Sequence, residues 1–297
     1  MSVSVRALIG ALLFSAACSR TPQQAAPAPV QVPAAPAKPA AASYTVTCPP
    51  RGTFGPKSGY NSQFYEDYTL AFVFKDVARG AYVDVGANDP DRGSVTKYFY
   101  ERGWRGINIE PNPDLVAKLK AARPEDVNLG IGIADKPGVL TFYRFPSESA
   151  LSTFDAAVAR EHKAKRKFDY DTMKIEVQTL TAVLAEHPLG DVGASFLNVD
   201  VEGFERQVLS GIDLRRHPVS VVMAESTAPM TEDATFQSWE SLLDGAGYLF
   251  GMDDGLNRYY VSPERQDLLR RFVDADYCVA QDKLAKGIRL NGYRPQQ

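Results

Sequence analysis

Residues 81–112 read AYVDVGANDPDRGSVTKYFYERGWRGINIEPN. Ala81–Val85 is a short apolar run rich in β-formers, the pattern of a strand buried on both faces. Gly86 follows at once, and Ala87–Gly93 is a loop. Ser94–Arg102 reads as a helix stopped by Gly103, and Gly106–Ile109 is a second apolar run. Strand, loop, helix and strand in this order form one βαβ unit. Repetition of that unit gives a mostly parallel sheet with helices on both faces.

The alternation continues along the chain. Pro113–Ala122 reads as a helix halted before Pro124, and Val127–Ile131, Val139–Phe145 and Lys174–Thr179 read as strands. A helix over Leu180–Glu186 precedes a strand at Ser195–Val199. A helix at Glu205–Ser210 precedes a strand at Val219–Ala224. Phe236–Ala246 is amphipathic, and Tyr248–Met252 with Arg258–Val261 close the pattern. The expected fold class is α/β, a Rossmann-like sheet in a single domain over residues 56–297.

Composition narrows the function. The 297 residues carry 33 basic and 36 acidic side chains, a net charge of −3. That balance lacks the clustered basic excess of a nucleic-acid binder. The 44% hydrophobic content supports a sizeable core. No apolar run reaches the ~18–20 residues that span a bilayer. Three cysteines and three histidines are too few and too scattered for a zinc cluster, and no metal site is expected.

Residues 1–18 read as an export signal: Arg6 is the positive end, Ala7–Phe14 the apolar stretch, and Ser15-Ala16-Ala17 the small residues before Cys18. Cys18 makes the segment similar to a bacterial lipoprotein signal, although Ser15 stands where Leu, Val or Ile is usual. Residues 19–55, rich in proline and alanine, read as a tether that cannot bury a core. The layout predicts an exported domain held at a membrane surface by lipid on Cys18. A misassigned start site would make it cytoplasmic instead. Cys48 and Cys278 flank the domain, and export would let them pair.

Open α/β sheets bind ligands beyond the carboxyl ends of their strands. After the first strand stand Asp84, Gly86 and Asn88; Glu110 ends the second, one βαβ unit later, where an acid can accept both ribose hydroxyl hydrogens. The loop lacks the G-x-G-x-x-G fingerprint, and its carboxylates, Asp84 and Asp89, repel a pyrophosphate but suit a cation. S-adenosylmethionine, with a sulfonium and an ammonium, meets that charge logic. Asp200 and Glu202 follow the strand at 195–199. Two apart on extended chain, they would face one side, into the crevice.

Ser62-Gln63-Phe64-Tyr65-Glu66-Asp67, then YVDVGANDP, SVTKYFYERGWRGINIEPNP, Leu151-Ser152-Thr153 and FLNVDVEGFERQVLSGIDL resemble the FkbM family of S-adenosylmethionine-dependent methyltransferases. The resemblance implies a seven-stranded methyltransferase sheet and methyl transfer, commonly to a hydroxyl of a sugar, glycan or natural product. It implies that Asp84, Gly86 and Asn88 line the methionine end of the cofactor and that Glu110 holds the ribose. Asp135 would lie near the adenine, or else is a turn acid beside Lys136-Pro137-Gly138. Asn198 departs from the residues common in the family just before the Asp-x-Glu-Gly motif.

Asp200 is read as the acceptor-side base or orienter, with Glu202 in support; a pair of carboxylates could instead take Mg²⁺. Glu205 is read as a helix N-terminal charge, and Glu225 as a second base candidate. His162 falls in the charge run Arg160–Lys167, read as a solvated helix face that could meet an anionic acceptor. S-adenosylmethionine does not cross membranes unaided, so export sets a second reading beside the enzyme: a lipoprotein using a degenerated methyltransferase fold as a non-catalytic ligand-binding module.

Overall fold

The computed structural model describes residues 46–49, 59–229, 231 and 233–286, all within the compact unit Val46–Gln297. The signal at 1–18 lies outside the described residues, as does the tether at 19–55 apart from 46–49.

Seven strands form the main sheet. They are β1 (Ala81–Val85), β2 (Arg105–Ile109), β3 (Val127–Leu129), β7 (Ser195–Val199), β8 (Val221–Glu225), β9 (Leu249–Asp253) and β10 (Asn257–Val261), in the order β3-β2-β1-β7-β8-β10-β9. β10 runs antiparallel to both its neighbours, and the other pairings are parallel. The strand order reverses between β1 and β7, which places a crevice above their carboxyl ends.

Side-chain alternation feeds two cores. Tyr82, Phe196, Val221, Met223, Tyr259 and Val261 pack with α1 (Glu66–Val73) and α8 (Asp267–Ala285) on one face. Val83, Val85, Leu197, Val199, Val222 and Tyr260 pack with α5 (Leu180–Glu186), α6 (Glu205–Ser210) and α7 (Glu240–Gly245) on the other. The remaining helices are α2 (Lys97–Tyr100), α3 (Pro113–Ala122) and α4 (Ala156–Arg166). Cys48 is bonded to Cys278 in α8, so residues 46–49 are tied to the domain's last helix.

Three features depart from the sequence reading. The run at 127–131 shortens: β3 stops at Leu129, and just beyond it β4 (Gly132–Ile133) joins β6 (Asp171–Gln178) and β5 (Gly138–Arg144) in a separate three-stranded sheet. The helix read over 94–102 shrinks to α2, and the residues before it are used instead to bond the strand end and a distant side chain: Thr96 donates to Asp84 and Ser94 accepts from Arg123. The nineteen-residue α8, which the sequence pattern did not suggest, covers one face of the sheet.

Candidate active site

Beyond the carboxyl ends of β1, β2 and β7 lies a cleft of about 800 Å³ including its solvent-open mouth, lined among others by Asp84, Asn88, Glu110, Asn198, Asp200 and Glu202. Its floor is a polar row that crosses the sheet. Asp84 pairs in register with Asn108 of β2 and Asn198 of β7, and Asn108 pairs with Asn128 of β3. These residues share the face of Tyr82, where apolar side chains would otherwise continue. Asp84 accepts from the Asn198 amide at 2.9 Å and the Thr96 hydroxyl at 2.7 Å, so both its oxygens are bonded. The buried Arg123 guanidinium ties this row to the loop, donating to Thr96, to Asn108, to the Ser94 hydroxyl at 2.6 Å and to the Pro90 carbonyl at 2.8 Å. A buried charge requires such a full set of partners.

Glu110 stands at the end of β2. Its Oε2 accepts the Asn88 N–H at 2.9 Å and its Oε1 the Asn112 N–H at 2.8 Å. Each oxygen keeps a lone pair for a ligand. Burial pushes this carboxyl up to about 7, against the two backbone bonds and with a smaller contribution from the Asp84 charge. Asn88, at φ +49°, accepts the Ser149 hydroxyl at 2.8 Å, which fastens the loop after β1 to the segment before α4. Gly86 has φ +87°, and a Cβ there would lie 1.8 Å from the Asp200 carbonyl oxygen. Only glycine lets the loops after β1 and β7 approach this closely.

Across the cleft, β7 ends at Val199 and the chain turns. Glu202 has φ +52° and Gly203 φ +91°. The strand alternation expected to aim Asp200 and Glu202 at one side is therefore absent: both line the cleft, brought there by a left-handed turn. The turn is held from two directions. Thr153 donates its hydroxyl to the Glu202 carbonyl at 2.9 Å, and Gly203 donates its N–H to Glu205 Oε1 at 3.0 Å. Thus Leu151-Ser152-Thr153 and the Asp-x-Glu-Gly block, far apart in sequence, meet at one bond.

The β7–β8 side of the cleft concentrates acid. Glu205 is buried and raised to about 7, chiefly by burial. Glu225, at the end of β8, is pushed up to about 11 by burial and then by the charges of Asp200, Glu202 and Glu205. Asp200 is held well above the ordinary carboxylate range by desolvation and by Glu202 and Glu205. The residue is open to the cleft, which weakens the first cause and leaves the neighbouring charges as the firmer one. One oxygen each of Glu202 and Glu225 is buried with no hydrogen-bond partner.

The sequence-predicted residues therefore converge with one exception. Asp84, Gly86, Asn88, Glu110, Asp200 and Glu202 line the cleft, whereas Asp135 is exposed and not part of its lining. Four contributors have no role assigned by the sequence. Asn198 holds Asp84, Thr96 and Arg123 support it, and Thr153 pins Glu202. His162 is also corrected: it is buried on the inner face of α4, with Nε2 3.8 Å from Glu202 Oε2, while the lysines and arginines of the same run face outward.

The family model described as Methyltransferase FkbM domain matches residues 84–250, more than half of the chain. The chain belongs to the FkbM methyltransferase family. Among solved structures it is similar to a TehB-like SAM-dependent methyltransferase from Corynebacterium glutamicum, at 9% identity and TM-score 0.36, covering 70% of this chain and 91% of that one. It is also similar to an O-methyltransferase from Bacillus cereus in complex with SAH, at 10% identity and TM-score 0.28, covering 70% and 82%. Likenesses this slight carry no functional argument. A search of curated proteins gave no match. The FkbM chain is thus an α/β methyltransferase whose cofactor is S-adenosylmethionine. The residues present fit that group. Four carboxylates line the cleft against a single cation, Arg92, which suits a sulfonium and an ammonium and opposes a pyrophosphate. Glu110 also keeps a lone pair on each oxygen, enough to accept from a diol.

Proposed function

We propose that this FkbM protein is an O-methyltransferase acting on a hydroxyl of a sugar, glycan or related natural product. The observation that carries the reading is the acid cluster of Asp200, Glu202, Glu205 and Glu225 opposite the Asp84–Glu110 lip. Bound S-adenosylmethionine supplies an electrophilic methyl group on a sulfonium. Asp84, Gly86 and Asn88 shape the methionine end of the site, and Glu110 accepts from the ribose. Asp200, its carboxyl raised, takes the proton from the attacking hydroxyl. Holding that oxygen in line with the methyl group is the second contribution of the lip. The test is calorimetric titration of S-adenosylmethionine onto the chain from Ser43, together with transfer of labelled methyl to hydroxylated glycan acceptors. Binding with no transfer to any hydroxyl would defeat the O-methylation reading.

The same proposal places the domain outside the cytoplasm, anchored by lipid at Cys18. Arg6, the apolar Ala7–Phe14 and Cys18 support it, as does the Cys48–Cys278 bond, because such bonds persist in oxidising compartments. Export favours one alternative, a binding module that holds a ligand in this cleft without catalysis. Mass spectrometry of the mature N-terminus checks the anchor; an intact Met1 peptide in cells would remove both anchor and export.

A further inference from the structure

We propose that His162 is a positioning residue for the acceptor side, holding the Glu202 carboxylate through Nε2 and carrying away the proton that methyl transfer releases. The inference rests on the O-methyltransferase reading above.

His162 Nε2 and Glu202 Oε2 lie 3.8 Å apart, and both are buried without a hydrogen-bond partner. Orphaned buried polar atoms are rare in folded proteins and call for a reason. Here each is the other's natural partner: a movement of about one ångström brings them into hydrogen-bond range. Neither group is a wandering surface side chain. His162 shows only 4% of its side chain and Glu202 16%. The α4 register is fixed by Asp155, whose carboxylate caps the helix on the Ala157 and Val158 N–H groups. The Phe145 ring stands edge-on to the imidazole, 5.8 Å between centroids. Glu202 is pinned by Thr153 in a left-handed conformation that a side-chain-bearing residue adopts at a cost, and such strain collects at functional positions.

Proton balance gives the pair its use. In transfer to a hydroxyl, the carbon–sulfur bond breaks and a carbon–oxygen bond forms. The sulfonium becomes a neutral thioether, and one proton leaves the acceptor oxygen. That proton enters a cluster of carboxyls, Asp200 first, and must leave before the next turnover. His162 borders a second, solvent-open groove of about 410 Å³, shared with Glu161, Lys165, Arg166, Pro229 and Thr231. It therefore stands between Glu202, which lines the cleft, and an outer opening. Nε2 takes the proton from the Glu202 carboxyl and the imidazole gives one up at Nδ1, which leaves Nε2–H to hold the carboxylate it has just deprotonated.

The experiment uses His162→Ala and His162→Gln in the full chain. The alanine variant should lower kcat by about 10–100-fold with KM for S-adenosylmethionine within about twofold of wild type. The glutamine variant, which restores a hydrogen-bonding amide, should recover part of the lost kcat. Unchanged kcat in both, or kcat and cofactor affinity falling together with a matching loss of melting temperature, would overturn the proposal. A second measurement needs no turnover: the imidazole ¹⁵N resonances of His162 should move on Glu202→Gln, and resonances that stay put would overturn it as well. Wild-type protein that binds S-adenosylmethionine but methylates no hydroxyl would remove the O-methyltransferase reading and the proton's source together, whereas moving resonances would still establish the pair.

Discussion

On the β1–β2 lip of the cleft, both oxygens of Asp84 and both of Glu110 have partners: the Asn198 amide and Thr96 hydroxyl for one, two backbone N–H groups for the other. On the β7–β8 lip, Glu202 and Glu225 each keep a buried oxygen with none, and the carboxyls of Asp200, Glu205 and Glu225 are pushed upward by burial and then by neighbouring acids, Glu202 foremost for Asp200 and Glu205. The first lip is organised before any ligand arrives, which lowers the ordering cost of binding. The second is left in a state that a proton or an acceptor relieves. Under the proposed function, binding falls to the first set of carboxylates and chemistry to the second.

The sharpest way to break this division is Asp200→Asn, which keeps shape and removes basicity. Loss of a general base costs about 10²–10⁴-fold in rate, and kcat should fall by that much while cofactor affinity changes little. An equal loss of affinity would move Asp200 to the binding lip. Full activity would end the base role. Activity abolished by chelator and restored by Mg²⁺ would give the carboxylates a metal to hold instead.

The next effect is on stability. Glu110 and Glu205, with ordinary values near 4.5, are raised to about 7, and Glu225 to about 11. A raised carboxyl binds its proton more tightly folded than unfolded. Its stabilising contribution is complete below pH 4.5 and is lost as pH climbs through the folded value. The ligand-free domain should therefore lose on the order of a few kcal/mol between pH 5 and pH 8, seen as a falling melting temperature. Glu225→Gln should flatten that dependence more than Glu110→Gln, since Glu225 lacks Glu110's compensating backbone bonds. The reverse ranking would mean that the unpartnered lip is not the more strained one.

Glu110→Ala addresses the binding lip directly. It should weaken S-adenosylmethionine by about 1.5–3 kcal/mol, the worth of hydrogen bonds to a charged group, and NAD should not bind in its place. Calorimetry decides, and wild-type affinity in the variant would show that the ribose is held elsewhere.

What the sequence made legible follows the same division. Asp84, Gly86 and Glu110 could be read because they sit at fixed places in a βαβ unit, where strand ends and loop chemistry are local properties. Asn198 looked like a neutral departure because its meaning lies across the sheet: only the register of β7 against β1 sets it beside Asp84. Arg123 stands between the helix end at Ala122 and Pro124, and nothing local announces that its guanidinium turns inward to four partners. His162 sat in a run of charges whose helical periodicity was hidden by their number. One buried face, Ala159 and His162, was enough to orient the whole helix. The two extra strands read at 139–145 and 174–179 formed, but in a sheet of their own, since strand partners are a tertiary choice.

The smallest effect concerns the tie between the lips. Thr153 is buried, and its hydroxyl donates to the Glu202 carbonyl and accepts the Asp155 N–H at 2.9 Å. It joins the turn after β7 to the start of α4, the helix that carries His162. Thr153→Val keeps the volume and branching but leaves a carbonyl and an N–H without partners, at a cost of about 1 kcal/mol for the net bond and up to about 3 kcal/mol if neither finds water. Glu202 holds a left-handed conformation that is itself uphill by about 1–2 kcal/mol for a residue with a side chain, so the freed turn should relax toward ordinary φ and draw the carboxylate out of line. The expected outcome is a several-fold fall in kcat, with affinity for S-adenosylmethionine unchanged because Asp84 and Glu110 keep every partner they have. Loss of affinity without loss of kcat would show that the segment 149–153 serves the cofactor lip through Ser149 and Asn88 rather than the acid turn.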